Sequence, residues 1–150
     1  MKIIGMHDGH DCSVSLMVNG KIVYAAQEER FSRLKQDAGF PYKAIENMLQ
    51  ELNLEKDDID ICVFYEKPLL KFDRLISTYM HIAPRGFESF KIAIPEWVRE
   101  KLFFRSSLKK HLKKSLTKKI TNSIFFSEHH YSHAASAYYP SPFKEATIVT

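Results

Sequence analysis

The chain has 150 residues, of which 45% are hydrophobic and 27% are charged, and its net charge is +4. This length and composition are typical of a globular protein with a single domain of ordinary size and its own core. The longest apolar runs, such as residues 124–126, are far too short to cross a bilayer, and the first residues lack the long apolar segment of a secretory signal. These features argue against a membrane or secreted protein.

The chain contains two cysteines, Cys12 and Cys62, which are widely spaced and form no CxxC motif. We expect both to be reduced thiols of a cytoplasmic protein, although two cysteines also permit one disulfide.

The first part of the chain predicts strands at residues 2–6 and 13–18, followed by a third strand in "KIVYAAQEE" at 21–29. The segment "VNGK" between the second and third strands contains Asn-Gly, which is typical of a two-residue hairpin turn. After a polar loop at 30–41, we predict a helix from about Tyr42 to Leu54 and a buried strand from Ile59 to Tyr65. The predicted order is therefore β-β-β-α-β.

The strand pattern is absent between about residues 67 and 119, which predicts a helical insertion that is punctuated by Pro68, Pro84 and Pro95. A strand is expected again at residues 122–126, followed by a short helix and a last strand at 146–150. Because a domain rarely ends in the middle of a strand, we expect this chain to be a fragment.

The segment 101–119 carries eight Lys or Arg residues and no acidic residue. Such a stretch can contact nucleic acid or acidic lipid. Its apolar residues are also spaced as in a packed amphipathic helix: Leu102, Phe103, Leu108, Leu112 and Leu116. We favour the second interpretation, in which the cations form a solvated helix face.

The segment "EHHYSHAAS" at residues 128–136 holds three of the seven histidines. We predict a helix that begins at Glu128, is capped by Ser127 and ends at Tyr139-Pro140. His129 and His133 are four residues apart, so they share one helix face, which is the spacing of two imidazole ligands of one metal ion. The spacing alone favours the simpler interpretation, a polar helix rich in histidine, because HxxxH is common and two ligands are too few.

Two loops carry further polar residues. The segment "DGHDCS" at 8–13 joins two strands and is either a site at the end of the sheet or a tight turn. In "QEERFSRLKQDAGFP" at 27–41, the cations Arg30, Arg33 and Lys35 could hold a phosphate or carboxylate, although a surface network of ion pairs is the commoner explanation.

Several motifs together resemble the N-terminal part of the nodulation/cephamycin-type carbamoyltransferase family. They are "GHDCSVSLMVNGKIVYAAQEERFSRLKQDAGFP", "YEKPLLKFDRL", "APRGFESF" and "EHHYSHAASAYYPSPF". The motifs occur in the family's order and cover nearly the whole chain, which is much more specific than any one of them. Members of this family transfer a carbamoyl group to a hydroxyl of a small molecule.

The resemblance implies an α/β fold of the actin/hexokinase/Hsp70 (ribonuclease H-like) type, with which the predicted β-β-β-α-β order agrees. It also implies that carbamoyl phosphate and ATP form a carbamoyl-adenylate in a C-terminal domain, from which the group passes to the acceptor. A further family ligand, in an Asp-Gly-x-Gly motif, would follow residue 150. The fragment alone is therefore expected to be inactive.

The resemblance also implies roles for individual residues. His129 and His133 match metal ligands, with iron as the expected ion, and His10 and Lys35 match catalytic residues of the transfer step. Asp11 and Ser13 lie in the loop beside the reaction site and, together with Arg33, are assigned to substrate binding.

Two other functions remain as alternatives. A sugar-kinase-type phosphotransferase would bind phosphates with Gly-rich loops, whereas "DGHDCS" has a histidine where such loops carry small residues. A non-enzymatic module would use the basic segment for nucleic acid, and it would leave His10 and Lys35 unexplained. The leading interpretation predicts a small-molecule hydroxyl acceptor and the C-terminal domain as partners, and neither membrane nor nucleic acid.

Overall fold

The computed structural model describes residues 1–149, apart from the side chains of Lys71, Ala93, Glu96, Trp97, Arg99, Glu100, Lys101 and Leu102. The chain divides into two compact units. Unit 1 comprises Met1–Glu66 and His111–Thr150, and unit 2 comprises Lys67–Lys110.

Unit 1 is built on a five-stranded mixed sheet whose order is β3-β2-β1-β4-β5. The strands are β1 (Lys2–His7), β2 (Ser13–Val18), β3 (Lys21–Gln27), β4 (Ile61–Phe64) and β5 (Ile124–Phe126). The first three strands are antiparallel, while β4 runs parallel to β1 and to β5. In the turn between β2 and β3, Asn19 and Gly20 both have positive φ angles, of 50° and 84°, as the predicted Asn-Gly hairpin requires. The predicted α/β class is confirmed.

The helices are α1 (Glu29–Ser32), α2 (Tyr42–Glu51), α3 (Pro68–Ile82), α4 (Phe87–Ser115) and α5 (His129–Tyr138), with 3-10 turns at Lys56–Asp58 and Lys119–Asn122. None of the helices, over the residues that the structure describes, combines the length and the apolar character needed to cross a membrane.

The core of unit 1 lies on one face of the sheet. Alternate strand residues point to this face and are buried: Ile4, Met6, Val14, Leu16, Cys62 and Phe64. Helix α2 packs against β2 and β3, and its own buried residues repeat at helical spacing: Ala44, Ile45, Met48 and Leu49. Each large aliphatic side chain buried in this way contributes about 1.5–3 kcal/mol.

Glu28 connects the end of β3 with the beginning of α2. Its side chain is only 5% exposed, and its two oxygens accept hydrogen bonds from the backbone N–H groups of Lys43 (2.9 Å) and Ala44 (2.7 Å). These N–H groups belong to the first turn of α2 and have no partner within the helix. The carboxylate satisfies them and interacts favourably with the positive end of the helix dipole.

Several predicted boundaries in the first half of the chain were wrong. Strand β3 ends at Gln27, and the predicted polar loop begins with the short helix α1. Helix α2 ends at Glu51, three residues early, because Asn53 adopts a positive φ of 51°, which a continuing helix does not allow. Strand β4 is confined to Ile61–Phe64, where its parallel partners β1 and β5 are available.

The predicted helical segment 67–119 contains α3 and α4, but Pro95 does not interrupt α4, which continues through it. Of the predicted apolar stripe, Leu108, Leu112 and Leu116 are buried, as i, i+4 spacing requires. Phe103, in contrast, is 64% exposed because it falls off that stripe, and the side chain of Leu102 lies outside the described residues. The buried leucines agree with a packed helix whose basic residues form its outer face.

Two predictions near the end of the chain also failed. Helix α5 begins at His129 with Glu128 as its N-cap residue, so Ser127 does not occupy the cap position. Residues 146–149 form no strand, since an extended segment needs a neighbour with which to exchange backbone hydrogen bonds, and Thr150 lies outside the described residues.

We predict that Glu28→Ala lowers the free energy of unfolding by about 1.5–3 kcal/mol, because two backbone N–H groups would lose a charged acceptor. Urea unfolding monitored by circular dichroism measures this change. Glu46→Gln on the exposed face of the same helix is the control and should change the value by less than about 0.5 kcal/mol. Equal effects of the two substitutions would contradict the capping role.

Candidate functional site

The histidine pair, His129 and His133, lies on one face of α5, as the sequence predicts. Their Nε2 atoms are 3.1 Å apart, and the two rings meet edge to face with centroids separated by 4.6 Å. Two nitrogen atoms that bind one ion at about 2.1 Å lie about 3.0–3.4 Å apart for octahedral to tetrahedral angles. The pair therefore fits two ligand positions of a divalent metal ion.

The pair alone is not a complete metal site. Within the described part of the chain, no group of three or more His, Cys, Asp or Glu side chains is arranged to hold a metal ion. His130, which the sequence excludes from the pair, is exposed, and its ring lies 5.8 Å from that of His129.

Helix α5 is attached to the end of β4 through Ser132. Its hydroxyl donates a hydrogen bond of 2.7 Å to the carbonyl oxygen of Tyr65, the residue that follows β4. The ring of Tyr65 contacts both His129 (5.5 Å between centroids) and His7, the last residue of β1 (4.4 Å). The parallel strands β1 and β4 therefore end at the same edge of the sheet, next to the histidine pair.

This edge also contains a buried carboxylate. Glu66 is 6% exposed, and its Oε2 lies 3.7 Å from Nδ1 of His129, the ring nitrogen that faces away from His133. Burial, together with the charges of Glu66 and Asp8, raises the pKa of Tyr65 to about 12. Burial lowers the pKa of His7, although its hydrogen bond to the Asp11 backbone and the charge of Glu66 act in the opposite direction.

The first loop, residues 8–12, leaves the same sheet edge after β1. Gly9 and Asp11 have positive φ angles of 96° and 58°, so the loop is a compact turn, and His10 at its tip is exposed. Asp11 is half-buried, and Ser13 begins β2.

The second loop, residues 33–40, is held beside the first by backbone contacts. Gly39 forms an isolated antiparallel bridge with Gly9, and the carbonyl oxygen of Asp37 accepts a 3.2 Å hydrogen bond from the N–H of Cys12. Arg33 and Lys35 are exposed in this loop. The structure therefore brings the two loops with the predicted residues together at the backbone level.

A cavity of about 770 Å³ lies between α5 and the sheet face opposite the core. Its lining is mainly apolar, with Ile3, Met17 and Val63 among the residues, and it also includes the polar side chains of Ser13, Ser15, Ser132, Ser136 and Arg30. A Cβ atom at Gly5 would come within 2.7 Å of the Ser15 hydroxyl oxygen. Glycine at this position therefore avoids a steric clash on the cavity face of the sheet. His7 and Tyr65 also line the cavity, which therefore reaches the sheet edge that holds the histidine pair.

Sequence reasoning did not single out His7, Tyr65 or Glu66 as site residues. A usable signal was present, because His7 and Tyr65-Glu66 come at the ends of two predicted strands. Residues at the carboxyl ends of adjacent parallel strands meet at one edge of the sheet. What was missing was the knowledge that β1 and β4 are neighbours.

Comparison with known proteins identifies the family. Residues 2–150 match the family described as carbamoyltransferase N-terminus. The chain is 46% identical over 142 residues to the uncharacterized protein sll1178 of Synechocystis sp., which covers 93% of this chain and 23% of that protein. It is 28% identical over 148 residues to the nodulation protein NolNO of Sinorhizobium fredii, which covers 97% of this chain and 19% of that protein.

The chain belongs to the carbamoyltransferase N-terminus family, which confirms the resemblance seen in the sequence motifs. A third relative, the uncharacterized protein MJ1051 of Methanocaldococcus jannaschii, is 42% identical over 50 residues, or 33% of this chain and 10% of that protein. The chain spans less than a quarter of the length of each of these three relatives.

We predict that Cys12, although it lies in the first loop, does not act as a nucleophile. Burial, helped by the nearby charges of Asp37 and Glu28, raises the pKa of its thiol to about 11, and burial raises that of Cys62 to about 12. At pH 8 only about one Cys12 thiol in a thousand is ionised. Labelling of the native protein by iodoacetamide should therefore be slow and should accelerate as the pH rises towards 11.

The same reaction in denaturant is the control, because unfolding returns both thiols to their ordinary pKa and exposes them. Labelling at pH 8 that is as fast in the native protein as in denaturant would contradict the prediction.

Proposed function

We propose that this chain is the N-terminal part of a longer O-carbamoyltransferase with an actin-like domain. In the complete protein, carbamoyl phosphate and ATP would form a carbamoyl-adenylate in a C-terminal domain, and the carbamoyl group would pass to a small-molecule hydroxyl bound by this part. Family membership supports carbamoyl transfer in general. The observation that best supports the finer proposal is the distance of 3.1 Å between the Nε2 atoms of His129 and His133. The pair lies next to the sheet edge at which the first loop begins.

His129 and His133 would hold a divalent metal ion, with iron as our choice, together with ligands from outside the described residues. Neutral imidazole suits iron and other first-row metals. When bound, the ion would act as a Lewis acid towards an acceptor oxygen or nucleotide phosphates.

The two adjacent loops would supply the catalytic groups. A hydroxyl is a weak nucleophile at pH 7, so its proton must be removed as its oxygen attacks the carbamoyl carbon and AMP leaves. His10, exposed at the tip of the first loop, is our candidate for the base, and Lys35 would stabilise the oxyanion. Asp11, Ser13 and Arg33 would bind substrate from the same two loops.

In the complete protein, we expect His10→Asn or Lys35→Ala to lower the rate of transfer to the acceptor by about 10²- to 10⁴-fold, the usual effect of losing a positioned acid or base. Formation of the adenylate should change little, because it takes place in the other domain. Pyrophosphate release and carbamoylated product, measured separately, distinguish the two half-reactions. If both half-reactions fell together, the two residues would have a structural role.

The metal can be tested by elemental analysis of the complete protein. We expect His129→Ala and His133→Ala to lose most of the bound iron, and His130→Ala to retain it, because residue 130 is rotated about 100° around the helix from residue 129. Equal loss in all three variants would indicate disturbance of the helix. Full iron content in the His129 and His133 variants would remove the pair from the metal site.

A further inference from the structure

Glu66 is a buried carboxylate that neither the core nor the predicted chemistry uses. It follows β4 by two positions and is 6% exposed. Burial of a carboxylate costs several kcal/mol unless nearby groups compensate for the lost water. The groups around Glu66 therefore indicate what its charge does.

Three of the groups around Glu66 belong to the candidate site. Nδ1 of His129 is 3.7 Å from Oε2 of Glu66, Tyr65 forms a side-chain hydrogen bond with Glu66, and His7 lies within the range of its charge. The distance to His129 is too long for a hydrogen bond, so this contact is a charge interaction. Glu66 thus acts on the ring of His129 from the side opposite His133.

A neutral imidazole carries one proton, on either Nδ1 or Nε2, and only the other nitrogen can bind a metal ion. A carboxylate beside Nδ1 attracts the proton to that nitrogen and leaves the lone pair on Nε2. In the histidine pair, Nε2 of His129 faces Nε2 of His133 at 3.1 Å. At that distance one of the two nitrogens must donate a proton to the other, and the position of Glu66 makes His129 the acceptor.

We infer that Glu66 is the positioning residue of the histidine pair: it keeps the proton of His129 on Nδ1 and so presents Nε2 as a metal ligand. Carboxylates commonly have this role behind metal-binding histidines, and their loss typically weakens metal binding by about 10- to 100-fold. The inference rests on the proposed metal-binding function of the pair.

The first test needs no metal and no variant. In the metal-free complete protein at pH 8, ¹⁵N-edited NMR of labelled histidines distinguishes the two tautomers. We expect His129 to carry its proton on Nδ1 and His133 to carry its proton on Nε2. A proton on Nε2 of His129 would overturn the inference. If Glu66 had only a structural role, it would not keep the proton of His129 on Nδ1.

The second test measures the affinity of the complete protein for Co²⁺, used as a spectroscopic probe, in competition with a chelator. Glu66→Gln keeps the shape of the side chain but removes its charge, and should weaken binding by about 10- to 100-fold. Glu46→Gln is the control, because it removes one carboxylate charge in the same way from the exposed face of α2. Glu46→Gln should leave the affinity unchanged at a temperature at which both variants are folded.

His133→Ala separates failure of this inference from failure of the proposed function. If His133→Ala weakens Co²⁺ binding and Glu66→Gln does not, the histidine pair binds the metal but Glu66 does not position it. If His133→Ala has no effect, the pair does not bind the metal, and both the metal proposal and the role of Glu66 are overturned.

Discussion

The buried carboxylate of Glu28 is the interaction on which the arrangement of the loops depends. Its oxygens accept the first free N–H groups of α2, and its backbone N–H donates a 2.9 Å hydrogen bond to the carbonyl of Cys12. One residue thereby joins the end of β3, the first turn of α2 and the first loop. The second loop, which connects α1 to α2, must pass beside the first, where Gly39 meets Gly9. The positions of the candidate residues in both loops follow from this constraint.

The second constraint is the parallel pairing of β1 with β4 and of β4 with β5. Parallel strands end at the same edge, so the residues that follow them come together even though they are far apart in sequence. His7 and Tyr65 meet there, and the helix that follows β5 adds His129. The edge thus combines polar groups from three segments, while the hydrophobic core remains on one face of the sheet.

Charge is distributed differently in the two parts of the candidate site. The sheet edge carries the buried carboxylate of Glu66 near imidazoles, of which the side chain of His129 is 46% exposed, so water screens their interaction in part. The two loops place His10 and Lys35 in contact with solvent, where a substrate can reach them. Under the proposed function, a buried group would orient the metal ligands while exposed groups would meet an acceptor that arrives from solution.

The sequence by itself determined the local features: the first two strands, the Asn-Gly hairpin, the buried face of α2 and the common face of His129 and His133. Each follows from contacts between residues close in the chain, through a period of 2 or 3.6 or a turn that needs positive φ. The family was also identified from the sequence motifs alone, and the family match confirms it. The tertiary structure alone decided that α2 is capped by Glu28, that Pro95 lies within α4, and that Glu66 stands behind His129. The cap and the position of Glu66 could not be read from the sequence because they join residues about 15 and 63 positions apart, and only the packing of strands and helices determines which distant residues become neighbours.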